Sequence, residues 1–207
     1  LPSQSLMFAK ISPDGKKVAY IFDKNIYVKD LASGEGKQIT KDGERNKIIN
    51  GTTDWVYEEE FAITKGFYWS PDSKKIAFLR FDESKVKTYT LEYYSNLYPD
   101  IFTYKYPKAG EDNSKVELYV HQLDENWTNK VALGEYEYVP RLKYSPINDQ
   151  LVVLTMNRHQ DDLKYHIVDC SSDKLETKTF YTETSDTYID IDDNLLFLKD
   201  GKSVLRT

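Results

Sequence analysis

Cysteine is nearly absent. Cys170 stands alone in 207 residues, so no disulfide forms within the chain and its redox compartment stays open. Long apolar runs are missing as well. Hydrophobic residues are 40% of the total, yet no stretch approaches the ~18 residues of a membrane-spanning helix. There is no basic cluster: Lys and Arg number 28 against 34 Asp and Glu, a formal charge of -6. That balance argues against nucleic acid as a partner. Signatures of hydrolysis and metal binding are also lacking. No Gly-x-Ser-x-Gly elbow occurs. His121, His159 and His166 belong to no His-Glu-x-x-His or Cys-x-x-Cys arrangement. Gly34 and Gly36 lack the strand-to-helix setting of a phosphate loop. Nothing in the chain calls for a cofactor or a metal. No signal segment is seen, and the chain opens at Leu1 rather than methionine. The expectation is that further sequence precedes it.

Tyrosine is plentiful, at 17. With Val, Ile, Thr and Phe it favours strands, and helix-period stretches are scarce. One unit recurs. Residues 9–40 parse as four strands joined by turns. Ser12-Pro13-Asp14-Gly15 has turn chemistry, since Pro fixes φ and Gly accepts positive φ. Val18, Tyr20 and Phe22 alternate with Ala19 and Ile21, which suits a strand covered on both faces. A tight hairpin is placed at Lys24 and Asn25. The unit returns over residues 66–84 and 141–180, and in degenerate form over 187–207. Tandem four-stranded units predict an all-β fold, a partial β-propeller of antiparallel blades rather than a flat sandwich. Two insertions lengthen the repeats, one around residues 41–64 and one over 95–113. A closed ring needs more blades than this chain supplies, so it reads as part of a larger ring.

Three of the turn residues, Ser12, Ser70 and Ser145, share a Ser-Pro setting that favours capping over nucleophilic attack. His159 and His166 flank a hairpin at Asp161 and Asp162 and read as surface residues. Arg141 and Arg158 read as surface ion-pairers. Asn50-Gly-Thr and Asn126-Trp-Thr fit a glycosylation pattern of low specificity.

The first insertion holds DWVYEEEF, residues 54–61. Asp54 caps a predicted short helix over residues 55–60. Adjacent helical residues point about 100° apart, so two neighbouring carboxylates meet at one point only on a short, kinked or terminal turn. Held so, they form a receiver for a cation. A primary ammonium fits, with three donors and one charge. Calcium is a rival, without the loop pattern of a calcium hand. A solvated acidic surface is the plainer alternative. Trp55, Tyr57, Phe67 and Trp69 read as packing residues.

Residues 50–61, NGTTDWVYEEEF, closely resemble the propeller of the dipeptidyl peptidase IV family of serine peptidases. Residues 80–84, RFDES, and 104–120, YKYPKAGEDNSKVELYV, resemble later landmarks of it. Residues 24–31 and 154–163 match its general pattern. The resemblance runs in order along essentially all 207 residues. It implies an eight-bladed propeller paired with an α/β-hydrolase domain. Residues 1–207 are then a fragment of the N-terminal propeller, about three to four blades, without the hydrolase domain and its triad. The family releases dipeptides from free N-termini, with proline or alanine second. Its propeller presents a Glu pair to the substrate amine. Matching the motif makes that pair Glu59 and Glu60, with Glu58 supporting and Trp55 and Tyr57 anchoring the insert. No catalytic residue, cofactor or metal falls in this chain. The implied partners are a peptide N-terminus, the protein's own C-terminal hydrolase domain and, in the full-length parent, a second copy. Bacterial members are exported, to periplasm or surface. Two departures matter. Residues 61–68, FAITKGFY, leave the family's serine near the amine unassigned, and its upstream arginine precedes Leu1. Relatives that release tripeptides share the acidic motif, and members without a nucleophile serve as interaction modules.

Overall fold

In the computed structural model, residues 6–200 and 203–206 are described. Residues 1–5, 201, 202 and 207 lie outside the description, and with them the ends of the opening segment and of the fourth repeat.

The first sheet is a four-stranded antiparallel meander, β1 (Met7–Ile11), β2 (Lys17–Phe22), β3 (Asn25–Asp30) and β4 (Gly36–Gln38). The β2–β3 hairpin turns at Asp23 and Lys24, with φ 47° and 62°. Both left-handed values match the twist of the flanking strands. The turn therefore sits one residue before the position expected from sequence, and Asn25 begins β3. The Asn25 side chain still shapes the corner, accepting from Thr40 Oγ1 at 3.0 Å.

The second sheet carries both insertions. Its elements in chain order are β5 (Ile48–Asn50), α1 (Trp55–Glu60), β6 (Phe67–Trp69), β7 (Lys75–Asp82), β8 (Thr88–Tyr93), β9 (Asp100–Lys105), β10 (Lys115–Gln122) and β11 (Trp127–Lys130). β5 and β6 lie along the same edge of β7. Ile48 pairs with Asp82, and Phe67 with Phe78. They are two halves of one strand, opened between residues 51 and 66. The neck is tied: Gly51 N–H donates to the Leu79 carbonyl, Leu79 N–H to the Gly66 carbonyl, and Gly66 N–H to the Gly51 carbonyl. A Cβ on Gly51, at φ +73°, would meet Ile21 Cδ1 at 2.7 Å. The backbone passes there only because no side chain is in the way. β8 and β9 leave between β7 and β10 and pair with each other. The sequence placed an insertion here without a strand pair.

The third sheet is β12 (Tyr138–Tyr144), β13 (Gln150–Met156), β14 (Asp162–Asp169) and β15 (Glu176–Thr184). Beyond it, β16 (Leu196–Phe197) and β17 (Val204–Leu205) form a two-stranded start of another unit.

The sheets stack through strand alternation. On β7, Ile76 and Phe78 join Ala19, Ile21 and Ile26 of the first sheet. Ala77, Leu79 and Phe81 face the other way, into the core shared with Leu142, Leu151 and Val153 of the third. A strand buried on both faces is the spine of a blade, and each large side chain so buried contributes roughly 1.5–3 kcal/mol. Leading strands β1, β6 and β12 all line one cavity of about 510 Å³, through Lys10, Phe67 and Leu142 among others. Sheets stacked face to face with first strands inward make a partial propeller; the described residues do not close into a ring.

The serine turns behave as caps in two of three cases. Ser12 Oγ donates to Asp14 and accepts from Lys17 N–H. Ser70 repeats this with Asp72 and Lys75. Ile147 stands where those turns have Asp, and the buried Ser145 hydroxyl has no partner among the described residues. His159 is exposed as expected, whereas His166 is buried. It bonds Thr155 at 2.7 Å and Thr179 at 3.0 Å, and burial favours its neutral form. A β-strand face, not a hairpin flank, decides its setting. Asn50 is fully buried, so its triplet is no glycan acceptor in the folded chain.

Candidate functional site: the acidic helix

α1 forms where the sequence put it. Asp54 is extended, at ψ 178°, and its Oδ1 accepts from Tyr57 N–H at 3.1 Å. That satisfies one orphan donor of the first turn. Asp54 is itself buried, and burial raises its pKa against the hydrogen bonds that lower it. The helix lasts six residues. It ends as Ala62 turns to φ 54° and Ile63 N–H reaches back to the Tyr57 carbonyl at 3.0 Å.

One face of α1 is sunk and the other bare. Val56 and Tyr57 are buried. The Tyr57 ring meets Phe81 edge-on at 4.8 Å and Phe61 at 5.1 Å. Its hydroxyl accepts from Val139 N–H of β12 at 2.8 Å, which pins the helix to the third sheet. Trp55 lies against Tyr106 at 4.2 Å. Both residues expected to anchor the insert are in packing contact.

Glu58, Glu59 and Glu60 are all exposed. Among the described residues none of their side chains has a hydrogen bond or ion pair. Glu58 closes the first turn, and Glu59 and Glu60 end the helix, where its carbonyls already concentrate negative potential. Arg141 was expected to pair at the surface. It does bind Asp193, at 2.5 Å, but its Nη1 also donates to the Phe61 carbonyl at 2.8 Å. The guanidinium therefore caps the end of the acidic helix. Its position 80 residues downstream hides this from any local pattern.

Two hollows flank the helix. One, of about 620 Å³, is bordered by Glu60, Trp55 and Tyr106. The other, of about 420 Å³, is bordered by Glu58, Asp54 and Glu83. Glu59 lines neither. Burial first, then Asp54 and Glu59, raise the Glu58 pKa. Burial, with Asp54 beside it, pushes Glu83 up to about 6. Glu83 lies in the RFDES stretch, residues 80–84, but no role was expected of it from sequence. Among the described residues no cluster of His, Cys, Asp and Glu suits a metal ion.

A family described as “Dipeptidyl peptidase IV (DPP IV) N-terminal region” matches residues 1–207. The chain belongs to that family. Its fold is similar to the crystal structure of Porphyromonas gingivalis dipeptidyl peptidase 4, with a TM-score of 0.88 and 40% identity over 94% of this chain and 28% of that one. Among DPP IV-like sequences, a Phaeosphaeria nodorum protein named “Probable dipeptidyl-aminopeptidase B” is 30% identical over 96% of this chain and 25% of its own length. Human prolyl endopeptidase FAP is 40% identical over 53% of this chain and 15% of its own. The chain thus spans about a quarter of the first of these relatives, and the DPP IV-type proteins it resembles are longer chains.

Proposed function

We propose that this chain is the part of a DPP IV-like serine peptidase that receives the peptide's N-terminus. Glu59 and Glu60 hold the α-ammonium, Glu58 adds negative potential behind them, and Trp55 and Tyr57 fix the helix that presents all three. The observation carrying this reading is the bare acidic turn on a firmly seated helix. Three neighbouring like charges, two of them at the negative helix end, repel one another. A cation bound there relieves that repulsion, and a primary ammonium brings three donors to it. Fixing the amine sets which peptide bond reaches the nucleophile, and supplies orientation in advance. The parent releases dipeptides with Pro or Ala second. Bond breaking belongs to an α/β-hydrolase domain outside residues 1–207, so this propeller piece of three to four blades has no peptidase activity by itself. We place the parent in the periplasm or on the surface of a bacterium.

The arm formed by β8 and β9 supports a homodimer of the parent. Leu97, Tyr98 and Tyr94 are 93%, 80% and 76% exposed, and apolar tips of this kind mark association surfaces. The test of the main reading is N-acetylation of an Ala-Pro substrate. Neutralising the amine is expected to lower the parent's kcat/KM by roughly tenfold to a hundredfold, the weight of one or two charge-assisted hydrogen bonds. Equal turnover of free and acetylated substrate contradicts it. Product sizing on an unblocked peptide separates dipeptide from tripeptide release.

A further inference from the structure

The cavity between the leading strands is unused by amine anchoring. It holds about 510 Å³, enough for a small organic molecule. Its lining is mostly apolar, with Tyr68 and Trp69 of β6 and Leu142 and Leu154 of the third sheet. The wall is braced: Trp69 Nε1 donates to the Lys10 carbonyl at 3.1 Å, which ties β6 to β1. Five basic side chains border the same space, Lys10, Lys65, Arg141, Lys143 and Arg206, against the two carboxylates of Asp192 and Asp193. Three of the five are already engaged. Arg141 pairs with Asp193, Arg206 with Glu183 and Asp192, and Lys143 donates to the Leu195 carbonyl at 2.7 Å. The other two lack a carboxylate. Lys65 Nζ donates to the Phe67 carbonyl at 2.7 Å and stands 4.0 Å from the Tyr68 ring centre. Among the described residues it makes no ion pair, and the Lys10 ammonium has no partner. Burial first, then Lys10, lower the Lys65 pKa to about 8. Lys65 is still mostly protonated at neutral pH, and an anion beside it offsets both effects.

We propose that this cavity binds an organic carboxylate with an apolar body, the carboxylate between Lys65 and Lys10 and the body against Tyr68 and Trp69. The two halves of the site exclude other guests. A cation meets two ammonium groups that nothing neutralises. A small inorganic anion leaves the apolar wall wet. A neutral apolar molecule leaves both lysines unpaired. Glu58, Glu59 and Glu60 line no part of this cavity, so carboxylate binding here and amine anchoring stand or fall separately.

The test is calorimetric titration of the full-length parent with 3-phenylpropanoate and with 3-phenylpropanamide, which share a body and differ in charge. The acid is expected to bind roughly tenfold tighter, the weight of one charge-assisted hydrogen bond. Lys65→Met keeps the stem, loses the charge and is expected to erase that preference. Lys10→Ala, at an exposed position, is expected to weaken the acid roughly twofold to threefold and to leave the amide unchanged. Trp69→Leu is expected to weaken both alike. N-Acetylphenylalanine identifies the source of the carboxylate. Binding tighter than that of 3-phenylpropanoate points to a peptide C-terminus and weaker binding to a free acid, and either order upholds the site. Equal binding of acid and amide overturns the proposal, as does binding of neither. A preference for the acid that survives in folded Lys65→Met also overturns it. Where Lys65→Met does not fold, Lys10→Ala decides, and undiminished affinity for the acid there counts against the site in the same way.

Discussion

Residues 51–66 and residues 83–114 both interrupt the second sheet, one inside its first strand and the other between β7 and β10. The first excursion is short and tied at its neck by three backbone bonds. It buries Tyr57 and Phe61 and turns Glu58, Glu59 and Glu60 outward. The second is long and satisfies its backbone by pairing with itself. It leaves Tyr94, Leu97 and Tyr98 in solvent. Where rings go inward, the excursion has one fixed position, and its charged tip is aimed. Where they stay outside, it offers area for something else to cover. The two meet at Trp55 and Tyr106, so the aimed element leans on the projecting one.

Removing the anchor should break this contrast most strongly. Tyr57→Ala empties a buried aromatic site and strands the Val139 N–H, so unfolding in denaturant should show a loss of about 3–5 kcal/mol. Leu97→Ser, at the other excursion's tip, should stay within about 0.5 kcal/mol. A Tyr57→Ala loss below about 1 kcal/mol would mean that the helix is not seated by its ring.

Glycines at positive φ sharpen the comparison. Gly51→Ala adds left-handed strain to a contact 2.7 Å from Ile21 Cδ1 and should cost about 2–4 kcal/mol. Gly110, at φ +84°, has open space where a Cβ would go. Gly110→Ala should cost only the backbone term, about 1–2 kcal/mol. Equal melting shifts for the two would show that the crowded neck is not a constraint.

The arm's apolar tip should matter to association and not to folding. Leu97→Asp is expected to weaken dimers of the parent in sedimentation, with its melting temperature unchanged. Dimers of undiminished affinity would assign that surface elsewhere.

The smallest effect lies beneath the helix. Glu83 titrates at about 6 in the folded chain, above the 4.5 of a free glutamate. The folded state then binds the proton more tightly than the unfolded one, and stability falls as pH rises through that window. The penalty is absent below about 4.5 and complete above about 6. Glu83→Gln should therefore match the parent chain at pH 4 and melt higher at pH 7.5. A constant difference across that range would show that burial does not tune this carboxyl.

Much of this was legible locally. Strand alternation, Ser-Pro-Asp turns and the Asp54 cap are short-range signals, and they located the sheets and α1. What sequence missed is contact between distant segments. Arg141 caps the acidic helix from the third sheet, and His166 is buried by strand partners that no spacing reveals. The β8–β9 arm was hidden for a different reason. Its polar and proline-bearing turn resembles a loop, and its exposed rings lack the in-out alternation by which strands are recognised. Glu58, Glu59 and Glu60 read alike in sequence, and only the fold separates the hollow beside Glu58 from the groove beside Glu60.

The most direct measurement is kcat/KM of the full-length parent on an Ala-Pro substrate, with Glu59 and Glu60 both changed to Gln, alongside titration of its nucleophile by an acylating reagent that has no amine. Weakening both charge-assisted hydrogen bonds at once should lower cleavage by roughly a hundredfold or more, while the reagent reacts at its normal rate. Unimpaired cleavage by the doubly substituted enzyme would contradict the account.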